Sequence, residues 1–243
     1  MLFASSRLRA GKGILKNNLI LEFSVLSKWA GFGPIHFLLY NSKKIMKTLV
    51  DRREDLIKTY IENKSVLDLG VGGIAHRFLH KFVVENSKSA VGIELEPKRV
   101  KALKKLGYDV IQADAQDFNL SQKFDIIIAG DLVEHLTNFD GFFNCVCKHL
   151  KKGGFLLLNT PNIYSIRALI RGIFGKYSDL EEHTCGFDEN LILQLIGRYP
   201  SLKVVDFKYF NHKTEGYRDQ IVRFFGRLNK KYCENMLIVA KKT

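Results

Sequence analysis

Cysteine is scarce in this chain, with four in 243 residues. That is too few for the disulfide framework of a small secreted domain. No stretch is long and apolar enough to cross a bilayer, and no internal repeat or low-complexity linker is present. The first eighteen residues contain no acid and carry Arg7, Arg9, Lys12 and Lys16. They lack the long apolar core and small-residue cleavage site of a secretory leader, although an acid-free start with Arg and Ser also suits an organelle transit peptide. The expected location is cytoplasmic, with contact at a membrane surface as a further expectation.

Apolar residues make up 46% and charged residues 26%, which excludes a disordered chain, a collagen-like fibre and a coiled-coil rod. A chain this long can bury a full core as one large domain. Lys and Arg number 38 against 25 Asp and Glu, but the excess sits at the ends. Residues 1–60 hold 11 basic and 4 acidic side chains, 61–196 hold 16 and 17, and 197–243 hold 11 and 4. The near-neutral middle and the basic last stretch read together as the main domain, over 61–243, and the first 60 residues as a basic helical extension or lid. Such ends suit anionic lipid, nucleic acid or an acidic substrate, or simply solvated basic helices.

From residue 61 the texture is that of alternating strands and helices. Strands are expected at 65–70, 90–94, 110–114, 124–129 and 155–159, with helices over 74–86, 98–106 and 138–150. Two late strands are expected at 202–207 and 236–240. This order calls for an α/β fold with a mostly parallel sheet covered by helices on both faces. Between Pro161 and residue 190 the pattern loosens into a substrate-side insertion, in which Ile163–Tyr177 is basic and amphipathic.

The first strand runs into Asp68-Leu-Gly70-Val-Gly72-Gly73, where glycines at a strand-to-helix turn let a ligand approach the backbone. Glu94 ends the second strand and Asp114 the third. At the carboxyl ends of neighbouring strands these acids would share one crevice. Glu94 is placed to accept from both hydroxyls of a ribose, Asp114 from an adenine amino group, and Asp68 from a ligand ammonium. So many acids repel a pyrophosphate but not a nucleoside bearing an amino acid and a sulfonium.

These motifs resemble the class I S-adenosylmethionine-dependent methyltransferases over about residues 60–210, with 236–240 fitting as the last strand. The segments are Val66–Gly72, Val91–Glu94, Ala113-Asp-Ala115, Phe124–His135 and Leu150–Asn162. The resemblance implies a Rossmann-like, seven-stranded sheet with an antiparallel last strand. It implies S-adenosylmethionine as cofactor, contacted by Asp68, Gly70, Gly72, Gly73, Glu94, Asp114, Ala115 and Gly130. The Glu134-His135 pair and Thr160-Pro-Asn162 are similar to small-molecule O-methyltransferases of quinone biosynthesis and of polysaccharide synthesis, and His183–Phe187 to a segment of the latter. The expected acceptor is a hydroxyl on a small molecule, a glycan or a lipid-linked compound, with nucleic acid disfavoured.

His135 is the expected general base, since an unperturbed imidazole titrates near neutrality. Three readings stay open for Asp131, Glu134 and His135. In one they share a face of a helix starting near Asp131 and hold a divalent cation, in another His135 acts as base, and in the third Asp131 caps that helix while Glu134 and His135 make structural hydrogen bonds. His183 is a second candidate base, and no residue is assigned as a metal ligand. Cys145 and Cys147 lack a partner pair for zinc. Two other functions compete. A nicotinamide-dependent oxidoreductase would use the same glycine turn with Glu94. An inactive methyltransferase-like module would bind membrane or nucleic acid through its basic ends, and Gly73-Ile74, where many members have a third spaced glycine, is its support.

Overall fold

A computed structural model of the protein describes residues 53–175, 183–211 and 217–243. Residues 1–52 of the expected basic extension, and part of the expected 162–190 insertion, lie outside the described residues. The described chain runs α1 (Arg53–Ile61), β1 (Ser65–Leu69), α2 (Ile74–Asn86), β2 (Ser89–Glu94), α3 (Pro97–Lys105), β3 (Val110–Gln112), β4 (Phe124–Gly130), α4 (Phe139–His149) and β5 (Leu150–Pro161). It continues with α5 (Ile166–Ile173), α6 (Glu189–Gly197), β6 (Leu202–Phe210), α7 (Tyr217–Leu228) and β7 (Asn235–Lys242).

The strands form one seven-stranded sheet in the order β3-β2-β1-β4-β5-β7-β6. β3, β2, β1, β4 and β5 pair in parallel, and β7 lies antiparallel between β5 and β6. The apolar runs Val66-Leu67 and Ile126-Ile127-Ile128 are buried because both faces of the sheet are covered. The two faces follow the period of two along each strand. Leu67, Leu69, Ile127, Leu156, Leu158 and Ile238 face a core shared with Phe142, Phe143 and Val146 of α4 and Ile192 and Ile196 of α6. Val66, Ile126, Ile128, Leu157 and Val239 face the opposite core, with Leu79 and Val83 of α2 and Ile57 and Ile61 of α1. α1, which falls within the stretch read as an extension, therefore belongs to the core of the sheet domain.

β3 stops at Gln112, two residues short of the expected strand, because the chain turns on Asp114. The Asp114 carboxylate accepts from Gln116 N at 2.8 Å and its carbonyl from Asp117 N at 3.0 Å. β5 starts earlier than expected, at Leu150, which pairs with Phe124 before a register shift.

Asp125, the second residue of β4, lies at the sheet's amino end. Its Oδ2 accepts from Ser65 N at 2.9 Å and Ser65 Oγ at 2.7 Å, and Lys151 Nζ lies 2.9 Å from Oδ1. Burial pushes this carboxyl up, but the Ser65 bonds and the Lys151 ammonium outweigh it and hold the pKa at about 2. The unfolded chain binds the proton more readily, so this contribution to stability is present above the ordinary carboxylate range and is lost as pH falls toward 2. Asp125→Asn is expected to melt below the wild type at pH 6 and to converge with it near pH 2. Parallel melting curves across that range would refute the assignment.

Candidate active site

The glycine turn after β1 folds back onto the end of β2. Gly70 takes a left-handed φ of +77°, and Gly70 N and Val71 N donate to Ile93 O at 2.8 and 3.2 Å. This brings Gly72 against Glu94, whose side chain is 5% exposed. Gly72 N donates to Glu94 Oε2 at 2.7 Å and Glu96 N to Oε1 at 2.9 Å. A Cβ at position 72 would sit 2.3 Å from Glu94 Oε2, so the close approach requires glycine. Gly73 leads into α2 with no side-chain cap on its first amides. Ala113 N bonds to Glu94 O at 3.1 Å, which ties the chain just before half-buried Asp114 and buried Ala115 to the end of β2. Gly130 ends β4, paired with Asn159 of β5. Gly70, Gly72, Gly73, Glu94, Asp114, Ala115 and Gly130 thus all lie at the carboxyl edge of adjacent parallel strands.

Asp68 has a different neighbour from the expected ligand ammonium. It shares a sheet face with Val66, and α2 lays His80 over that face. The Asp68 Oδ2 to His80 Nδ1 distance is 2.9 Å, and both side chains are buried.

No helix starts at Asp131. The residue has a φ of 41°, a short 3-10 turn covers Val133–His135, and α4 begins at Phe139 with Asn138 as its cap. Asp131 is held across the site instead. Its Oδ1 accepts from Asn159 Nδ2 at 2.5 Å and its Oδ2 from Arg53 Nη1 at 3.1 Å. Arg53 is buried, and its Nε has no hydrogen-bond partner. Sequence reasoning passed over Arg53 because it is one basic residue among many in that stretch. Only the packing of α1 brings it to the end of β4.

With Asp131 held by Arg53 and Asn159, the side chains that converge are Glu134, His135 and His183. One nitrogen or oxygen from each lies within 4.8 Å of the others. The His135 and His183 rings meet edge to face with centroids 4.6 Å apart. Thr184 positions the distant histidine, donating from N to Glu134 O at 2.8 Å and from Oγ1 to Leu136 O at 2.7 Å. The Glu134 side chain, in a residue 1% exposed, reaches toward β5, where Thr160 Oγ1 donates to Oε2 at 3.0 Å. Its Oε1 is buried without a hydrogen-bond partner. Burial, and secondarily the charge of Asp131, push the Glu134 carboxyl up to about 8 against the pull of the Thr160 bond.

The arrangement fits S-adenosylmethionine. Gly72 lets the glycine turn close onto the buried Glu94 carboxylate, and a second acid, Asp114, follows the end of the next strand. A parallel sheet with β7 reversed near one edge and this crevice at its carboxyl side defines a class I methyltransferase. Residues 40–198 match the family described as "Methyltransferase domain". The chain belongs to that family, and its sheet has the class I methyltransferase fold. It is 30% identical over 150 residues to the ubiquinone biosynthesis O-methyltransferase of Pelagibacter ubique, covering 59% of each chain. It is 23% identical over 180 residues to the human mitochondrial ubiquinone biosynthesis O-methyltransferase, covering 66% of this chain and 46% of that one. The chain thus spans about half the length of the curated relatives it matches. Among solved structures, a methyltransferase from Bacillus halodurans superposes with a TM-score of 0.56 at 19% identity, over 78% of this chain and 97% of that one. An S-adenosylmethionine-dependent methyltransferase from Mesorhizobium loti gives 0.54 at 16%, over 78% and 97%. These likenesses establish the fold.

Proposed function

We propose that the protein transfers a methyl group from S-adenosylmethionine to a hydroxyl of a small molecule. The observation that carries this reading is the Glu94–Gly72 cradle with the Glu134, His135 and His183 side chains at the same sheet edge. Bound S-adenosylmethionine supplies a methyl group already activated on a sulfonium. Glu94 accepts from the two ribose hydroxyls and Asp114 from the adenine amino group, while Gly70, Gly72, Gly73, Ala115 and Gly130 line the approach. Because His80 engages Asp68, Arg53 and Asp131 receive the carboxylate and ammonium of the amino-acid end. His135 takes the proton of the acceptor hydroxyl as its oxygen attacks, and the fixed geometry supplies alignment. The relatives named for ubiquinone biosynthesis favour a phenolic over a glycan acceptor.

Titration with S-adenosylhomocysteine by calorimetry, and labelled methyl transfer over a panel of phenols, sugars and amines, test this reading. Binding and labelling of hydroxyl acceptors is the expected result. Absence of binding at about 1 mM ligand would overturn the cofactor assignment, and labelling confined to amines would overturn the acceptor.

One surface favours contact with an anionic membrane as well. No helix among the described residues is long and apolar enough to cross a membrane. α5 nevertheless exposes Leu169, Ile170, Ile173 and the adjoining Phe174, the last two at 80% and 74%, and residues 163–177 contain no acid. Vesicles containing anionic lipid should float the protein, and Ile173→Ser with Phe174→Ser should weaken this. Equal flotation of the double variant would remove α5 as the contact.

A further inference from the structure

We infer that the amino edge of the sheet, opposite the candidate active site, binds the phosphate backbone of a nucleic acid without reading its sequence. Neighbouring strands of a parallel sheet start side by side, and here the starts carry lysine. In the spatial order β2, β1, β4, β5, β7 and β6, this edge presents Lys88, Lys64, Lys123, Lys152, Lys241 and Lys203. β7 runs the other way and contributes from its end. Each of these lysines is exposed. With strands about 4.8 Å apart, the row is about 24 Å long.

The row differs from an ordinary solvated surface. Among the described residues, Lys64, Lys88, Lys123, Lys152 and Lys203 form no ion pair, and Lys241 lies over the Phe155 ring at 5.7 Å. Asp125, within β4, is taken by Lys151 at 2.9 Å, and Glu62 and Asp109 are the exposed acids just before β1 and β3. Like charges are also set side by side. Lys88 N donates to Lys64 O at 3.0 Å, and Lys203 pairs directly across from Lys241. Directly opposed like charges destabilise a sheet, and a bound anion relieves that repulsion. β5 adds a projection. Leu150 pairs with Phe124 and Phe155 with Ile126, so residues 151–154 bulge at this edge, with Gly153 at a φ of +77°. Helix ends do not account for the row. Lysines near a helix C-terminus complement its dipole, which covers Lys104 and Lys105 of α3 and Lys148 of α4. Lys123, Lys152, Lys203 and Lys241 belong to strands or strand starts instead.

The chemistry selects the partner. The row is lysine throughout, and lysine meets phosphate as a point charge, without the planar fork by which arginine reads guanine. A line of single cations suits a line of phosphates held for position rather than sequence. A membrane fits less well, because the apolar helix α5 follows the carboxyl end of β5, at the other edge. Glu94, Glu96 and Asp114 at that carboxyl edge repel a polyanion. The nucleic acid is therefore a docking partner and not the methyl acceptor, and its docking is independent of which acceptor the crevice takes.

The test uses the full chain and a fluorescein-labelled, mixed-sequence RNA strand of about 20 nucleotides, read by anisotropy as salt rises from about 50 to about 200 mM. Affinity should fall about 100-fold or more over that range, with a log–log slope near −4, about −0.7 for each lysine of the row. A strand of different sequence should bind within about threefold. Combining Lys64→Gln, Lys88→Gln, Lys123→Gln and Lys152→Gln should weaken binding at least about tenfold at the lower salt and flatten the slope by about 3. S-adenosylhomocysteine affinity and the melting transition of this variant should match wild type. A charge-matched variant, Lys98→Gln with Lys101→Gln, Lys230→Gln and Lys231→Gln, should bind RNA within about threefold of wild type. Equal losses in the two variants, or no RNA binding by the wild type at the lower salt, would overturn the site. Displacement of S-adenosylhomocysteine by RNA would overturn its placement at the amino edge. Flotation with anionic vesicles that the first variant loses, without RNA binding, would replace the nucleic acid by a membrane.

Discussion

Glu94→Ala is expected to lower the affinity for S-adenosylhomocysteine by about 100-fold or more. Two hydrogen bonds from ribose hydroxyls to a carboxylate are each worth about 1.5–3 kcal/mol, and every 1.4 kcal/mol or so is tenfold. The same carboxylate also accepts from Gly72 N and Glu96 N, so its removal also loosens the glycine turn. Gly72→Ala should have a comparable effect by a different route, because the added Cβ lands 2.3 Å from Glu94 Oε2 and must drive that carboxylate aside. Calorimetry with S-adenosylhomocysteine reads both variants, with the thermal transition as a check on folding. If Glu94→Ala binds within about threefold of wild type, the ribose is held elsewhere and the assignment of the crevice is wrong.

The second large effect concerns stability. Asp68 and His80 form a buried pair 2.9 Å apart, and the His80 ring stacks edge to face on Tyr108 at 5.2 Å. Removing one partner leaves the other buried and unpaired, at a cost of about 3–5 kcal/mol. In a domain of this size that corresponds to a fall in Tm of about 2–4 °C per kcal/mol. His80→Ala and Asp68→Ala should therefore both destabilise in urea unfolding. Their double variant should cost less than the sum, because the two losses share one interaction. If Asp68 instead held the cofactor's ammonium, His80→Ala would leave the S-adenosylhomocysteine affinity and the pairing energy of Asp68 alone. A His80→Ala variant as stable as wild type would show that the pair carries little.

Much of the fold was legible because its signals are local. Strands β1, β2, β4 and β5 announce themselves as short apolar runs, and Ser65–Gly70 places a glycine where the turn needs a left-handed φ. The Glu94 and Asp114 positions follow from the same pattern, since a parallel sheet brings strand ends together whatever lies between them. The errors came where side chains from distant segments decide the backbone. Asp131 was read as a helix start, the usual place for an aspartate before an apolar run. Arg53, 78 residues away in sequence, and Asn159 bond its carboxylate instead.

The sequence alone determined the order of elements, the membership of the family and the residues around the glycine turn, since these depend on spacing along a few neighbouring positions. Tertiary structure decided which acid meets which partner. It buried Asp68 beneath His80, turned Asp131 toward Arg53, and carried His183 across about fifty residues to His135. Those choices arise from burial and long-range hydrogen bonds, which satisfy polar groups only once the whole sheet and its helices are in place.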